Sequence, residues 1–161
     1  MDTATKTKTK TKTKTNQSEK LVKVLNQLLA DYQLYYHNLR GFHWNLKGHL
    51  FFQLHDKFEE LYREASETID DIAERIRALG ATPLHTLEDY FQQAQLTSAK
   101  DVSNGEEAVA VALKNSQVLL YDLNDALKLA EEMGDEASLT LISDLITETE
   151  KRNWMLKAFL G

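Results

Sequence analysis

Past residue 18 the apolar positions of the chain recur every three or four residues. They open with LVKVLNQLLADYQLYYHNL and keep the same step through positions 109, 113, 120, 123 and 127 and then 139, 142, 145 and 146. That period puts them on single faces of successive α-helices, and no alternating strand pattern with hairpin turns competes. The stops are well marked. Ser18 reads as the cap of a first helix running to about Trp44, which Asn45 and Gly48 then interrupt. A second helix is expected from about 50 to 79, ended by Gly80 in the left-handed position. Thr82 followed by Pro83 is a helix start, opening a short helical piece, LHTLEDYFQQAQL, on a long connection. Ser103 with Glu106 forms a capping box for a third long helix to about Met133. Gly134 stops it, Asp135 caps the next, and a fourth runs through LTLISDLITETEKRNWMLKAFL.

Four long helices with a long link between the second and third predict an all-α four-helix bundle with one crossover connection, the ferritin-like topology. The crossover carries the short extra helix, and residues 19–161 form one domain with room for a real core.

Composition narrows the chemistry. The chain has 161 residues and no cysteine, which excludes disulfides and thiolate metal sites. No run approaches the roughly 18 apolar residues of a membrane span, and the N-terminus lacks the apolar core of a secretory signal, so a cytoplasmic location is expected. The net charge of −6 conceals a division. Residues 1–18 carry five lysines and one aspartate, whereas residues 19–161 carry 14 basic and 24 acidic side chains.

The first 18 residues, MDTATKTKTKTKTKTNQS, have no large apolar side chain and read as a disordered cationic arm. Extended, Lys6, Lys8, Lys10, Lys12 and Lys14 stand about 7 Å apart on one side. Such an arm suits phosphate neutralisation. With no aromatic to stack on bases it predicts sequence-independent, salt-sensitive DNA binding. A merely solubilising tail is the plainer reading.

The stretch HWNLKGHLFFQLHDKFEE, residues 43–60, and the rest of the second helix hold the candidate metal ligands. At about 100° per residue, His55, Glu59, Asp70 and Glu74 fall at roughly 0°, 40°, 60° and 100°, on one helix face. Each i, i+4 pair can grip one ion. The two pairs are nevertheless roughly 22 Å apart along the axis, so one helix cannot bring all four to one metal. Two copies packed antiparallel across a two-fold axis near residues 64 and 65 can, and they make two equivalent sites per dimer. His43, in the break before the second helix, is placed to fold back beside His55. Two imidazoles and three carboxylates suit iron. A site inside a single bundle requires Glu-x-x-His instead. The residues three before the five histidines are Leu34, Arg40, Leu46, Phe52 and Thr82, none of them glutamate.

These residues resemble a known family, the DNA-binding proteins from starved cells, or Dps miniferritins. The match lies in His43-Trp44-Asn45, Gly48, Phe51, Leu54-His55, Phe58-Glu59, Tyr62, Asp70 and Ala73-Glu74-Arg75. The resemblance implies a hollow shell of twelve subunits with a two-iron ferroxidase centre between two-fold related chains. His43, His55 and Glu59 come from one subunit, Asp70 and Glu74 from the other. Many members have aspartate at the position of Glu59. The implied activity is oxidation of Fe(II) to Fe(III), preferentially by hydrogen peroxide, with storage of ferric mineral and protection of DNA in the nucleoid. A nucleoid-binding structural protein with weak iron oxidation, and a metal-free helical interaction module, are the alternatives.

Other residues take lesser readings. Trp44 beside a ligand is expected to be a packed aromatic rather than a radical trap. His37, His49 and His85 read as surface or satisfied histidines, since a six-residue step does not keep one helix face. Asp122, Asp125, Asp135 and Glu136 are candidates for an acidic entry pore.

Overall fold

A computed structural model describes the backbone from residue 3 to 161 and the side chains from residue 17 onward. Its helices are α1 (Thr3–Asn45), α2 (Phe51–Ala78), α3 (Leu87–Gln93), α4 (Gly105–Met133) and α5 (Glu136–Leu160). No strand occurs among the described residues. None of these helices is long and apolar enough to cross a membrane.

The core follows from heptad-like spacing. On α1, Leu21, Leu25, Leu28, Tyr32, Tyr35, Leu39 and Phe42 step alternately by four and three, Leu46 just past the helix end continues the pattern, and all are buried. On α2, Leu54, Phe58, Leu61, Ala65, Ile72 and Ile76 recur at intervals of three, four or seven residues, on one helix face. Together with the alanine and leucine stripe of α4 and Ile142, Leu145 and Leu156 of α5, they form one continuous core. Burying each large side chain contributes about 1.5–3 kcal/mol, so this face rather than helix propensity holds the bundle. Helix α1 packs on α2, α3 and α4, and α4 packs on α5.

The two glycine stops hold as expected. Gly80 (φ +84°) and Gly134 (φ +63°) are left-handed. Ala81 N–H reaches back to Ile76 O at 3.1 Å and Asp135 N–H to Ala130 O at 3.0 Å, the six-to-one bond that closes a helix end. Asp135 caps α5, its side chain accepting from Ser138 N.

Three start signals differ. Ser18 does not cap α1, because the helix runs through it without a break. The reading of residues 1–18 as a disordered arm rests on side chains that lie, up to residue 16, outside the described residues. Thr82 and Pro83 start nothing. The short helix is capped by Thr86, whose hydroxyl accepts from Asp89 N, and Leu84 N–H is taken by Asn26 Oδ1 at 2.8 Å. At α4 the cap is Asn104, not Ser103, accepting from Glu107 N at 3.0 Å. Ser103 uses its carbonyl to accept from Lys47 N–H at 3.0 Å instead.

Helix α1 also holds the crossover, through polar side chains at otherwise buried positions. Asp31, fully buried, accepts from Gln95 N and Leu96 N, both at 2.7 Å, and from Gln27 Nε2 at 3.0 Å. Asn38 accepts from Ala99 N at 2.8 Å and donates to Thr97 O at 2.9 Å. These bonds satisfy backbone groups that a strandless connection would otherwise leave orphaned against the core.

Candidate metal centre

His43 stands at the end of α1 and His55 in the second turn of α2, with a short break between them. His43 Nδ1 bonds the main-chain oxygen of His55 at 2.8 Å, and His55 Nδ1 bonds that of His43 at 2.9 Å. A carbonyl only accepts, so each Nδ1 carries a proton, and in the neutral imidazole Nε2 is the nitrogen with the lone pair. The two rings stack at 3.8 Å with 19° between their planes. Phe51 stacks on His55 at 5.1 Å, and Tyr62 meets His43 edge-on at 5.4 Å.

Glu59, one turn beyond His55, completes the set. One ligand atom from each of His43, His55 and Glu59 lies within 4.8 Å of the others. His43 is buried, and the other two are half-buried. A carbonyl holding the far ring nitrogen is the usual way a metal-binding imidazole is oriented. Two imidazoles and a carboxylate on one side of an open position suit Fe(II). Glu59 also pairs with the exposed Arg63.

Asp70 and Glu74 are exposed farther along α2, and the structure does not bring them to the other three. Trp44 corrects an expectation: it is 62% exposed rather than packed, with the Arg40 guanidinium 4.6 Å from its ring. His37, His49 and His85 are exposed. Partial burial, and then Arg40, lower the pKa of His37.

The four acids read as a pore lie in two stretches, Asp122 and Asp125 on α4 and Asp135 and Glu136 at the start of α5. Asp122 is buried, three turns before the end of α4, and accepts from Gln95 Nε2 at 2.9 and 3.1 Å. Burial pushes its carboxyl up to about 6, Gln95 opposing and neighbouring Asp31 adding to the rise. Asp125 pairs with Lys128 at 2.9 Å, and Asp135 with Arg75 at 2.8 Å. Glu136 is exposed in the first turn of α5. The side chains of Lys6, Lys8, Lys10, Lys12 and Lys14 lie outside the described residues.

Phe51 and Tyr62 belong to the family pattern, but their contacts with the two histidine rings come from the fold. The Asp31–Gln95–Asp122 cluster joins three segments and escaped the sequence reading, although a carboxylate interrupting the α1 stripe, as Asp31 does, was a usable signal.

Comparison with known proteins agrees with the geometry. Residues 22–161 match the ferritin-like domain family. The DNA protection during starvation protein 2 of Bacillus anthracis is 38% identical over 144 residues, covering 89% of this chain and 99% of that relative. The crystal structure of a Dps protein from Vibrio cholerae O1, described as one of the ferritin-like diiron-carboxylate proteins, superposes with a TM-score of 0.90. It is 45% identical, over 91% of this chain and 92% of the other. A Dps protein from Bacillus brevis gives a TM-score of 0.88 at 36% identity, over 91% and 98%. Fold, site and relatives together place the chain in the ferritin-like family, among the Dps proteins.

Proposed function

We propose that the protein is a ferroxidase and iron store that protects DNA from oxidative damage. Iron is its substrate and cargo. Two Fe(II) ions are oxidised at a centre shared by two-fold related subunits, with hydrogen peroxide the preferred oxidant, and the ferric product is stored inside a shell of twelve chains. The observation that carries this reading is the convergence of His43, His55 and Glu59, with both Nδ1 atoms engaged by main-chain oxygens and Nε2 left as the ligand nitrogen.

Each residue has a task in that scheme. His43 and His55 supply neutral nitrogen ligands held by the backbone, and Glu59 supplies negative charge to balance the rising charge of iron. Asp70 and Glu74 of α2 belong to the other half of the centre. An i, i+4 acidic pair 15 residues from His55 is where an antiparallel two-fold contact presents it to a second chain's triad. The redox chemistry is that of iron; the protein binds and positions.

The N-terminal lysines supply non-specific attraction to DNA, which the acidic body does not, and this places the protein with the nucleoid in the cytoplasm. Acidic side chains, among them the exposed Glu136, draw Fe(II) toward entry pores.

The test is optical. Fe(II) oxidation is followed with peroxide and with oxygen for the wild type and for a His43→Ala, His55→Ala, Glu59→Ala variant. Peroxide is expected to drive the faster reaction and the variant to lose it. Equal rates in the two proteins would remove the ferroxidase reading.

A further inference from the structure

A row of polar side chains on α1 fastens the connection between α2 and α4. Asn26 Oδ1 takes Leu84 N–H at 2.8 Å, Gln27 donates to Gln93 O, and Asn38 holds Thr97 O and Ala99 N–H. These three are amides, neutral at every pH. Between Gln27 and Asn38 stands Asp31, fully buried, whose Oδ1 accepts from Gln95 N–H and Leu96 N–H, both at 2.7 Å. The anchor in the middle of the row is therefore ionisable.

A second carboxyl reaches the same point from α4. Gln95 is held at both ends, its main-chain N–H on Asp31 and its Nε2 on Asp122 at 2.9 and 3.1 Å. Asp122 is 6% exposed, and its carboxyl lies within hydrogen-bond reach of that of Asp31. The other groups facing it are the neutral Gln95 from the crossover and Asp125 from its own helix, which is taken by Lys128. Among the described residues no Lys, Arg or His pairs with Asp31 or Asp122. Two buried carboxylates in contact without a cation do not both stay charged, so the pair retains one proton. Asp31 accepts from three N–H groups, Gln27 Nε2 among them, and Asp122 from one amide. That difference leaves the charge on Asp31 and the proton on Asp122, which donates it across. Burial acts in the same sense and raises the Asp122 carboxyl to about 6.

We propose that Asp31 and Asp122 form a proton-held latch, in which one shared proton clamps Gln95 and Leu96 to α1 and α4 and its loss lets that stretch come away. Once the second carboxylate ionises, outward movement of the exposed Gln95 relieves the repulsion by admitting water to both acids. Helix α3 ends two residues before Gln95, so its hold on α1 loosens with the latch. The flanking anchors at Leu84 and Ala99 do not titrate and stay closed. The latch rests on the fold alone, and a failed ferroxidase reading leaves it intact.

The test is hydrogen exchange of the full chain at pH 5 and pH 8, read by mass spectrometry on overlapping peptides and corrected for intrinsic rates. A carboxyl titrating at about 6 when closed and at 3.8 when open makes opening easier as pH rises between those values. Protection of the Gln95 and Leu96 amides is expected to fall about tenfold from pH 5 to pH 8. Protection at Leu84 and Ala99 is expected to change by less than about twofold. D122N imitates the protonated acid and should keep the pH 5 protection at both pH values. D31N, which keeps the acceptor and removes the other charge, takes its place if D122N does not fold by circular dichroism. Constant protection at Gln95 and Leu96 in the wild type overturns the latch, and so does an equal fall at Leu84 and Ala99 or in the folded variant. If neither variant folds, the contrast between middle and flanking amides in the wild type decides.

Discussion

Arg75 Nη2 lies 2.8 Å from both carboxylate oxygens of Asp135, while Arg75 Nε donates to Ser138 Oγ at 2.8 Å. The pair ties the last turn of α2 to the cap of α5. With side chains 19% and 14% exposed, it is shielded enough to matter. Arg75→Met, which keeps the apolar stem, is expected to cost about 2–4 kcal/mol in denaturant unfolding because Asp135 loses its charge partner. Burial raises the Asp135 pKa, but the bonds from Ser138 and Arg75 outweigh it and hold the carboxyl below 3.8. This contribution is therefore complete above pH 3.8 and lost as pH falls through the lower folded value. The variant should lose less stability than the wild type on acidification through that range.

Asp122 behaves in the opposite sense. Its folded carboxyl titrates at about 6 against 3.8. The protonated form is favoured by folding, so stability falls as pH rises from 3.8 to 6 and is level above it. Asp122→Asn imitates the protonated acid, and its amide remains able to bond Gln95. It should gain about 2 kcal/mol over the wild type at pH 8 and nothing at pH 4. Thermal melts across that range check the sign, and a loss at pH 8 would contradict it.

At the metal centre, Glu59→Gln keeps the shape and removes the charge. Affinity for Co(II), read from the visible bands of the bound ion, is expected to fall about 10- to 100-fold with stability changing by less than about 1 kcal/mol. An unaltered affinity would take Glu59 out of the ligand set.

Deletion of residues 1–15 addresses the lysine arm. Gel retardation of DNA should disappear and iron oxidation persist. The intact chain should lose its DNA affinity steeply between 50 and 200 mM salt, by roughly tenfold or more for a few phosphate contacts. Retardation by the truncated protein would refute the arm's role.

The bundle was legible in the chain because burial imposes a helical period. The alternating steps of α1 from Leu21 to Phe42 and the stops at Gly80 and Gly134 are local consequences of side-chain shape and backbone sterics. Starts were less legible. Ser18, Thr82 and Ser103 carry the right chemistry for caps, yet Thr86 and Asn104 do the capping, because several polar residues near a boundary compete and long-range bonds decide. The hydrogen bond from Lys47 N–H engages Ser103, and Asn26 engages the segment after Pro83.

The candidate site divides in the same way. Residue type and helix arithmetic were enough to select His43, His55 and Glu59 and to separate them from Asp70 and Glu74, since the rise per residue is a property of any α-helix. The stacking of the two rings, the tautomer that frees each Nε2, the exposure of Trp44 and the burial of Asp122 depend on which helices meet across the core. Those relations join residues distant along the chain, and only tertiary packing brings them within hydrogen-bonding distance.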